Sequence, residues 1–247
     1  MGGDPMRRPE ETALEAAIRI APKLRGVLPI QGPPGTGKTY IGARMICELV
    51  DKGARIGITA NSHKVIRNLL DEVLKVADEK NLKLRAIQKV SDPEDSKGRL
   101  VCTTKNGDVF DALGTSSQVA AGTAWLWARP EAVWTVDVMF VDEAAQMSLA
   151  NVLAISHAGT SVVLLGDPRQ LDQPMQGSHP EGTDVSVLDH LLERGLTIHG
   201  DRGLFLEETW RLHPDICRFT SEMFYENRLQ ARPGLENQRI ISAGPAR

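Results

Sequence analysis

Residues 32–39 read GPPGTGKT, and their types and order could hold a phosphate chain. The pattern is G-x-x-x-x-G-K-[ST], set after a short apolar run and before a helical period. Glycines let the backbone curl so that its N–H groups face phosphate oxygens. The start of the following helix adds the positive end of its dipole. Lys38 would reach the β- and γ-phosphates, and the Thr39 hydroxyl would ligate Mg²⁺. Gly32, Pro33, Pro34, Gly35, Thr36, Gly37, Lys38, Thr39 and the adjacent Tyr40 are the candidate nucleotide cradle.

Two further signals sit at the ends of apolar runs. VMFV at 138–141 runs into Asp142 and Glu143. Such a strand delivers a carboxylate to Mg²⁺, so Asp142 is the candidate metal ligand. Glu143 beside it could orient or deprotonate an attacking water. The second run, 161–165, leads into Gly166-Asp167-Pro168-Arg169-Gln170. Loops after the carboxyl ends of parallel strands face the ligand crevice, which puts Gln170 within reach of a γ-phosphate. Alone, an acidic pair and a Gly/Pro turn carry no chemistry; the phosphate loop gives both their meaning.

These residues need strands and helices to hold them. Short apolar runs predict strands over 27–30, 55–59, 84–90, 136–141 and 161–165, with weaker ones over 100–103 and 118–121. Helical periods predict helices over 9–24, 38–49, 62–79, 185–194 and 214–225, with Ser62 as an N-cap. Residues 91–106 read as a charged surface excursion and 168–184 as a Gly/Pro-rich loop. Alternation of this kind predicts an α/β fold with a largely parallel sheet.

Composition excludes several classes. The chain has 247 residues, enough for one or two domains with a large core. Lys plus Arg is 29 and Asp plus Glu is 32, a net charge of −3 that excludes a globally basic surface but not a local basic cleft. Cys47, Cys102 and Cys217 match no metal spacing, and their odd count suits free thiols in a reducing compartment. The first residues, MGGDPMRRPEE, lack the apolar region of a secretory signal, and no run approaches the length of a membrane helix. A cytoplasmic protein without a membrane partner is expected.

Six motifs stand in order: GPPGTGKT at 32–39, ITANSHKVIRNLL at 58–70, GTAWLWAR at 122–129, VDEAAQ at 141–146, GDPRQL at 166–171 and ETWRLHP at 208–214. Together they resemble superfamily 1 helicases, the group of the nonsense-mediated-decay helicase and its nuclease-helicase relatives. GTAWLWAR and SHKVIRNLL look most like bacterial members, often fused to a RecB-like nuclease. The resemblance implies a RecA-like P-loop NTPase lobe whose parallel sheet is flanked by helices. It also implies ATP and Mg²⁺ as cofactors, hydrolysis of ATP, and movement along single-stranded nucleic acid, DNA slightly ahead of RNA. Carried over by position, Lys38 and Thr39 hold phosphate and metal, Asp142 the metal, Glu143 is the catalytic base and Gln170 contacts the γ-phosphate. Arg211 would reach the γ-phosphate and Trp210 would stack on adenine; core packing for Trp210 and a surface ion pair for Arg211 stay open. Nucleic-acid contacts would come from the segment Thr59, Asn61 and Ser62 and from Gly122 and Thr123. Trp125 and Trp127 are either base platforms or core and rim packing, while Lys64 and Arg67 read as a solvated face.

The sequence departs from the group in three places. No glutamine precedes Gln31, Thr209 stands where glutamine is usual, and the chain reaches Arg247 without the later motifs, the second-lobe arginine finger included. The domains expected are a flexible 1–8, one ATP-binding lobe over 9–200 and the truncated start of a second lobe over 201–247. Phe219, Phe224 and Tyr225 would then lack a full lobe to pack against. The isolated chain would hydrolyse ATP slowly or not at all, the missing lobe or a partner domain completing the site. The alternative is a stand-alone ATP-binding module that docks to a partner or nucleic acid without unwinding. A small-molecule P-loop kinase is disfavoured, since DEAAQ and GDPRQL have no role in one.

Overall fold

The computed structural model describes residues 5–92, 96–170, 185–193 and 195–238. Helix α1 (Ala13–Ile20) opens on Thr12, whose hydroxyl accepts the Glu15 N–H while the Glu15 carboxylate takes the Thr12 N–H. This reciprocal cap starts the helix later than the position near Pro9 that the sequence pattern predicts. Strand β1 (Gly26–Gln31) leads into the phosphate loop and helix α2 (Lys38–Asp51). Strand β2 (Ile56–Thr59) leads through the N-cap Ser62 into α3 (His63–Glu79), as expected. Strands β3 (Ala86–Lys89), β4 (Leu100–Thr103), β5 (Val119–Ala121), β6 (Val138–Asp142) and β7 (Ser161–Gly166) fall on the predicted runs.

Helices α4 (Asn106–Ala112), α5 (Ala124–Trp127) and α6 (Leu149–Ser156) lie where the sequence pattern marks none. The first two are too short to show a period, and α6 is apolar nearly all round. Helices α7 (Val187–Leu192) and α8 (Pro214–Phe224) lie inside their predicted spans. Strands β8 (Leu204–Phe205), β9 (Glu208–Thr209) and β10 (Gln230–Ala231) have two residues each, below what a sequence pattern can mark. Most of the loop expected over 168–184 lies outside the described residues.

Eight strands form one parallel sheet in the order β4-β3-β5-β2-β6-β7-β1-β8. Its central strands are buried on both faces. Val138 and Phe140 of β6, with Val163 and Leu165 of β7, face the core that α1, α2 and α3 close. Met139, Val141, Val162 and Leu164 face the opposite core, which α4, α5, α6 and α7 help to close. Two-sided burial explains why these strands read as unbroken apolar runs. β8 pairs with β1 through Ile30–Leu204 and Gln31–Phe205, so the sheet takes in a strand beyond the boundary expected at residue 200. β9 and β10 form a separate two-stranded parallel pair. A third cluster joins Ile198, Phe205, Cys217, Tyr225 and Leu229, seating α8 against the sheet.

All three cysteines are free thiols, and burial pushes the Cys47 thiol up to about 11. Among the described residues no helix is long and apolar enough to cross a membrane.

Candidate nucleotide and nucleic-acid edge

Because the sheet is parallel, all its carboxyl ends share one edge. Along that edge β6, β7 and β1 are neighbours, followed by β8. Asp142-Glu143, Gly166–Gln170 and the phosphate loop thus come from adjacent strands, although more than 100 residues of sequence separate the phosphate loop from the other two. Parallel α/β sheets bind ligands at this edge.

The phosphate loop is built by steric need. Gly35 and Gly37 take φ of 78° and 85°, the left-handed region that glycine occupies without strain. A Cβ on Gly32 would lie 2.4 Å from Lys38 Cγ. The Thr36 hydroxyl donates to the Pro33 carbonyl at 2.7 Å, so this buried side chain braces the loop. Lys38 Nζ donates to the Gly32 carbonyl at 2.8 Å, which curls it over the loop. Gly37 then caps α2 and leaves that helix's first N–H groups at the mouth of the loop.

The acidic pair sits across from it. Asp142 is buried at the end of β6, and its Oδ1 accepts the Glu143 N–H at 2.9 Å. Burial, with the Glu143 carboxylate beside it, pushes the Asp142 carboxyl up to about 6. The Glu143 N–H and Lys38 offset part of that shift. Glu143 itself has φ 50° and ψ 44°, a left-handed conformation that is uncommon for a residue with a side chain. It lines a cavity of about 620 Å³ together with the phosphate loop, Gln170, Trp210 and Arg211.

The segment 208–211 closes that cavity, and its docking accounts for Thr209. The Thr209 hydroxyl donates to the Pro34 carbonyl at 2.8 Å and accepts the Arg211 N–H at 3.3 Å. The Trp210 N–H donates to the Gly35 carbonyl at 2.9 Å. A Cβ on Gly35 would meet Arg211 Cβ at 2.4 Å, so the glycine also permits this close approach. Trp210 is not core: 58% of it is exposed, and the Arg232 guanidinium lies 3.4 Å from its ring centroid. Tyr40 is backed in the same way by Arg44 at 3.3 Å. Each ring thus carries a cation on one face.

Several groups at this site were given no role by the sequence. Asn68, Glu72 and Lys75 of α3 line the cavity on the face opposite that helix's buried stripe. Their spacing of four and three residues was the available signal. Asp167, which is buried, accepts from the Gln170 amide at 3.2 Å and from the Tyr225 hydroxyl at 2.7 Å. Burial and the Asp167 carboxylate raise the Tyr225 hydroxyl above the usual phenol range. Tyr225 is therefore packed, not stranded, whereas Phe219 and Phe224 are exposed. Gln31, the first glutamine, is also structural: its side chain bonds the Leu196 carbonyl and the Ile198 N–H.

Beyond β6 along the edge come β2 and β5, carrying the second group of expected residues. The Thr59 side chain is fully buried, and its Oγ1 has no hydrogen-bond partner. Asn61 reaches the Gln146 carbonyl, and the Ser62 hydroxyl caps α3 by accepting the Val65 N–H at 3.2 Å. Gly122 is buried, where a Cβ would strike Leu126, and Thr123 is the N-cap residue of α5. The two tryptophans divide. Trp127 is fully buried and its Nε1 donates to the Ile58 carbonyl at 3.0 Å, whereas Trp125 is 86% exposed. Trp125 borders a notch of about 340 Å³ that Asn61, Thr123 and Asn151 also line. Lys64 is exposed, but Arg67 is not on a solvated face; its Nε donates to Gln88 at 2.7 Å and ties α3 to β3.

For a divalent ion the donors here are oxygens, the Asp142 carboxylate and the Thr39 hydroxyl, a set that suits Mg²⁺. Among the described residues no cluster of three or more His, Cys, Asp or Glu could hold a metal unaided. The loop whose glycines leave no room for a Cβ fits a phosphate chain that would supply the remaining ligands.

Comparison with known proteins agrees with this geometry. The AAA domain family matches residues 11–182. The chain is 26% identical over 254 residues to the regulator of nonsense transcripts 1 homolog of Drosophila melanogaster, covering 85% of this chain and 21% of that protein. It is 27% identical over 209 residues to the DNA replication ATP-dependent helicase/nuclease dna2 of Schizosaccharomyces pombe, covering 81% and 14%. To helicase SEN1 of Saccharomyces cerevisiae it is 23% identical over 141 residues, covering 56% and 5%. The chain thus spans at most about a fifth of these relatives. The arterivirus nonstructural protein 10 helicase, solved with DNA, shares the fold with a TM-score of 0.53 at 15% identity, covering 88% of this chain and 44% of that one. The chain belongs to the AAA domain family, and its likeness to these helicases supports a place in the superfamily 1 helicase group.

Proposed function

We propose that this chain is the ATP-binding core of a helicase or translocase that hydrolyses ATP to move on single-stranded nucleic acid, DNA ahead of RNA. One observation carries the reading. The groups expected to handle nucleotide and those expected to touch nucleic acid occupy adjoining stretches of one sheet edge, split at β6. The first RecA-like lobe runs from residue 9 through β8, a little past the expected boundary at residue 200, and the segment after it is the start of a second. A magnesium-bound ATP would supply the phosphoryl group that is transferred to water. Lys38 and the loop N–H groups neutralise the phosphates, and Thr39 and Asp142 hold the ion. Glu143 takes the proton of the attacking water, held toward the cavity by its left-handed backbone. Gln170 and Arg211 act at the γ-phosphate end, and Trp210 and Tyr40 offer their uncovered faces to the base. Asn61, Ser62 and Thr123, with the backbone at Thr59 and Gly122, grip the strand without reading sequence.

The test is ATP turnover with and without single-stranded DNA, by the chain and by its Glu143→Gln variant. Slow turnover that DNA stimulates and Glu143→Gln abolishes is expected. Undiminished turnover by the variant would remove Glu143 from its role. The stand-alone module is kept as a second reading because of α8. There Ile216, Phe219 and Met223 form an exposed apolar stripe at helical spacing, suited to a second lobe, a RecB-like nuclease or another partner. Nucleotide and DNA binding without any turnover would favour that reading.

A further inference from the structure

Asp167 is a buried carboxylate outside the phosphate loop and the acidic pair, and three donors converge on it. Its Oδ1 accepts the Arg169 N–H at 3.2 Å. Its Oδ2 accepts both the Gln170 amide at 3.2 Å and the Tyr225 hydroxyl at 2.7 Å. A carboxylate only accepts, so the Gln170 side chain must turn Nε2 toward Asp167 and Oε1 away from it. The chemistry of the partner, not the similar shape of the two amide atoms, sets this orientation. Tyr225 comes from the far end of α8, whose near end follows directly from Trp210 and Arg211. Its ring packs against Phe205 of β8 with centroids 6.0 Å apart.

We propose that Asp167 and Tyr225 are positioning residues that hold the Gln170 amide with its carbonyl oxygen toward the nucleotide cavity, making recognition of a third phosphate depend on the seating of α8. The inference rests on the functional reading above and deepens it, since it names what orients Gln170. An outward Oε1 accepts a hydrogen bond, so Gln170 orients a water beside the γ-phosphate instead of donating to the phosphate itself. The Tyr225 hydroxyl is what keeps Oδ2 in place for the amide. Loosening α8 frees the amide to rotate, and a nucleoside triphosphate then loses its advantage over a diphosphate.

The experiment is calorimetric binding of ADP and of the non-hydrolysable analogue adenylyl imidodiphosphate, each with Mg²⁺, so that hydrolysis is not the readout. Tyr225→Phe deletes one hydroxyl and keeps the ring against Phe205. Its ADP affinity should stay within about two-fold of the parent, while its preference for the triphosphate analogue falls roughly ten-fold, as for loss of a charge-assisted hydrogen bond. Gln170→Ala should lose the same preference, and the double variant should lose no more than Gln170→Ala alone. An unchanged preference in Tyr225→Phe, or losses that multiply in the double variant, overturns the proposal. If thermal melting shows Tyr225→Phe unfolded, Asp167→Asn decides in its place: an amide there can turn a donor toward Gln170, so the preference must change or the proposal fails. A parent chain that binds neither nucleotide overturns the functional reading and this inference together. A parent that binds both, with variants that match it, overturns the inference alone.

Discussion

Asp142 shows how a single residue sets opposing demands on stability and function. It is buried, and its carboxyl is raised from 3.8 to about 6. Between those values the folded chain keeps a proton that the unfolded chain has released. Its contribution to stability is therefore full below about pH 4 and is lost as pH rises through about 6. At neutral pH the chain buries a charge that the Glu143 N–H and Lys38 relieve only in part, and a bound cation would relieve it further. Asp142→Asn keeps an acceptor for the Glu143 N–H and removes the charge. Denaturant unfolding should find the variant more stable by up to about 3 kcal/mol near pH 7.5, with the gap closing near pH 4. Mg²⁺-dependent nucleotide binding should fall at the same time. A stability gap of the same size at both pH values would refute the assignment. The phosphate loop and this acidic pair were legible in sequence because their chemistry fixes residue types at short spacing. The bond between Asp167 and Tyr225 was not, since a hydrogen bond across 58 residues leaves no local pattern.

At the scale of elements, α5 separates two roles that the sequence could not. Trp125 and Trp127 are two apart on a one-turn helix, so they point to different sides. Trp127 fills the core and bonds the Ile58 carbonyl near the carboxyl end of β2. Trp127→Ala should cost about 3–5 kcal/mol on chemical denaturation. Trp125→Ala should shift stability by less than about 0.5 kcal/mol yet weaken single-stranded DNA binding several-fold in a fluorescence anisotropy titration. Equal destabilisation by both would remove the distinction. Long buried strands and the amphipathic α3 were readable because burial on two faces or one leaves a period in the sequence. Helices α4, α5 and α6 and the two-residue strands were not, because short or evenly apolar elements leave none. The start of α1 moved for a local reason, the paired cap at Thr12 and Glu15.

For the whole molecule, the parallel sheet and its order bring distant loops together; the parallel sheet was legible in the alternation of strand and helix, whereas the strand order was not. Nothing in the sequence pattern says that β8 lies beside β1, because two residues of pairing have no signature. The stripe on α8 is a property of the molecule's outer surface. Sedimentation should show concentration-dependent association of the chain that Phe219→Ser combined with Met223→Ser abolishes; association that survives would place the sticky surface elsewhere.

The stitching of residues 209 and 210 to the phosphate loop has a mechanical meaning. Two loop carbonyls, those of Pro34 and Gly35, are tethered to the strand that leads into α8. If the loop holds phosphates as proposed, those tethers would act as a fulcrum beside them. A force applied to whatever rides on α8 would then be delivered as torque to the loop, and a change of shape in the loop would return along the same lever. A load on the helix and the grip on a phosphate would not be set independently.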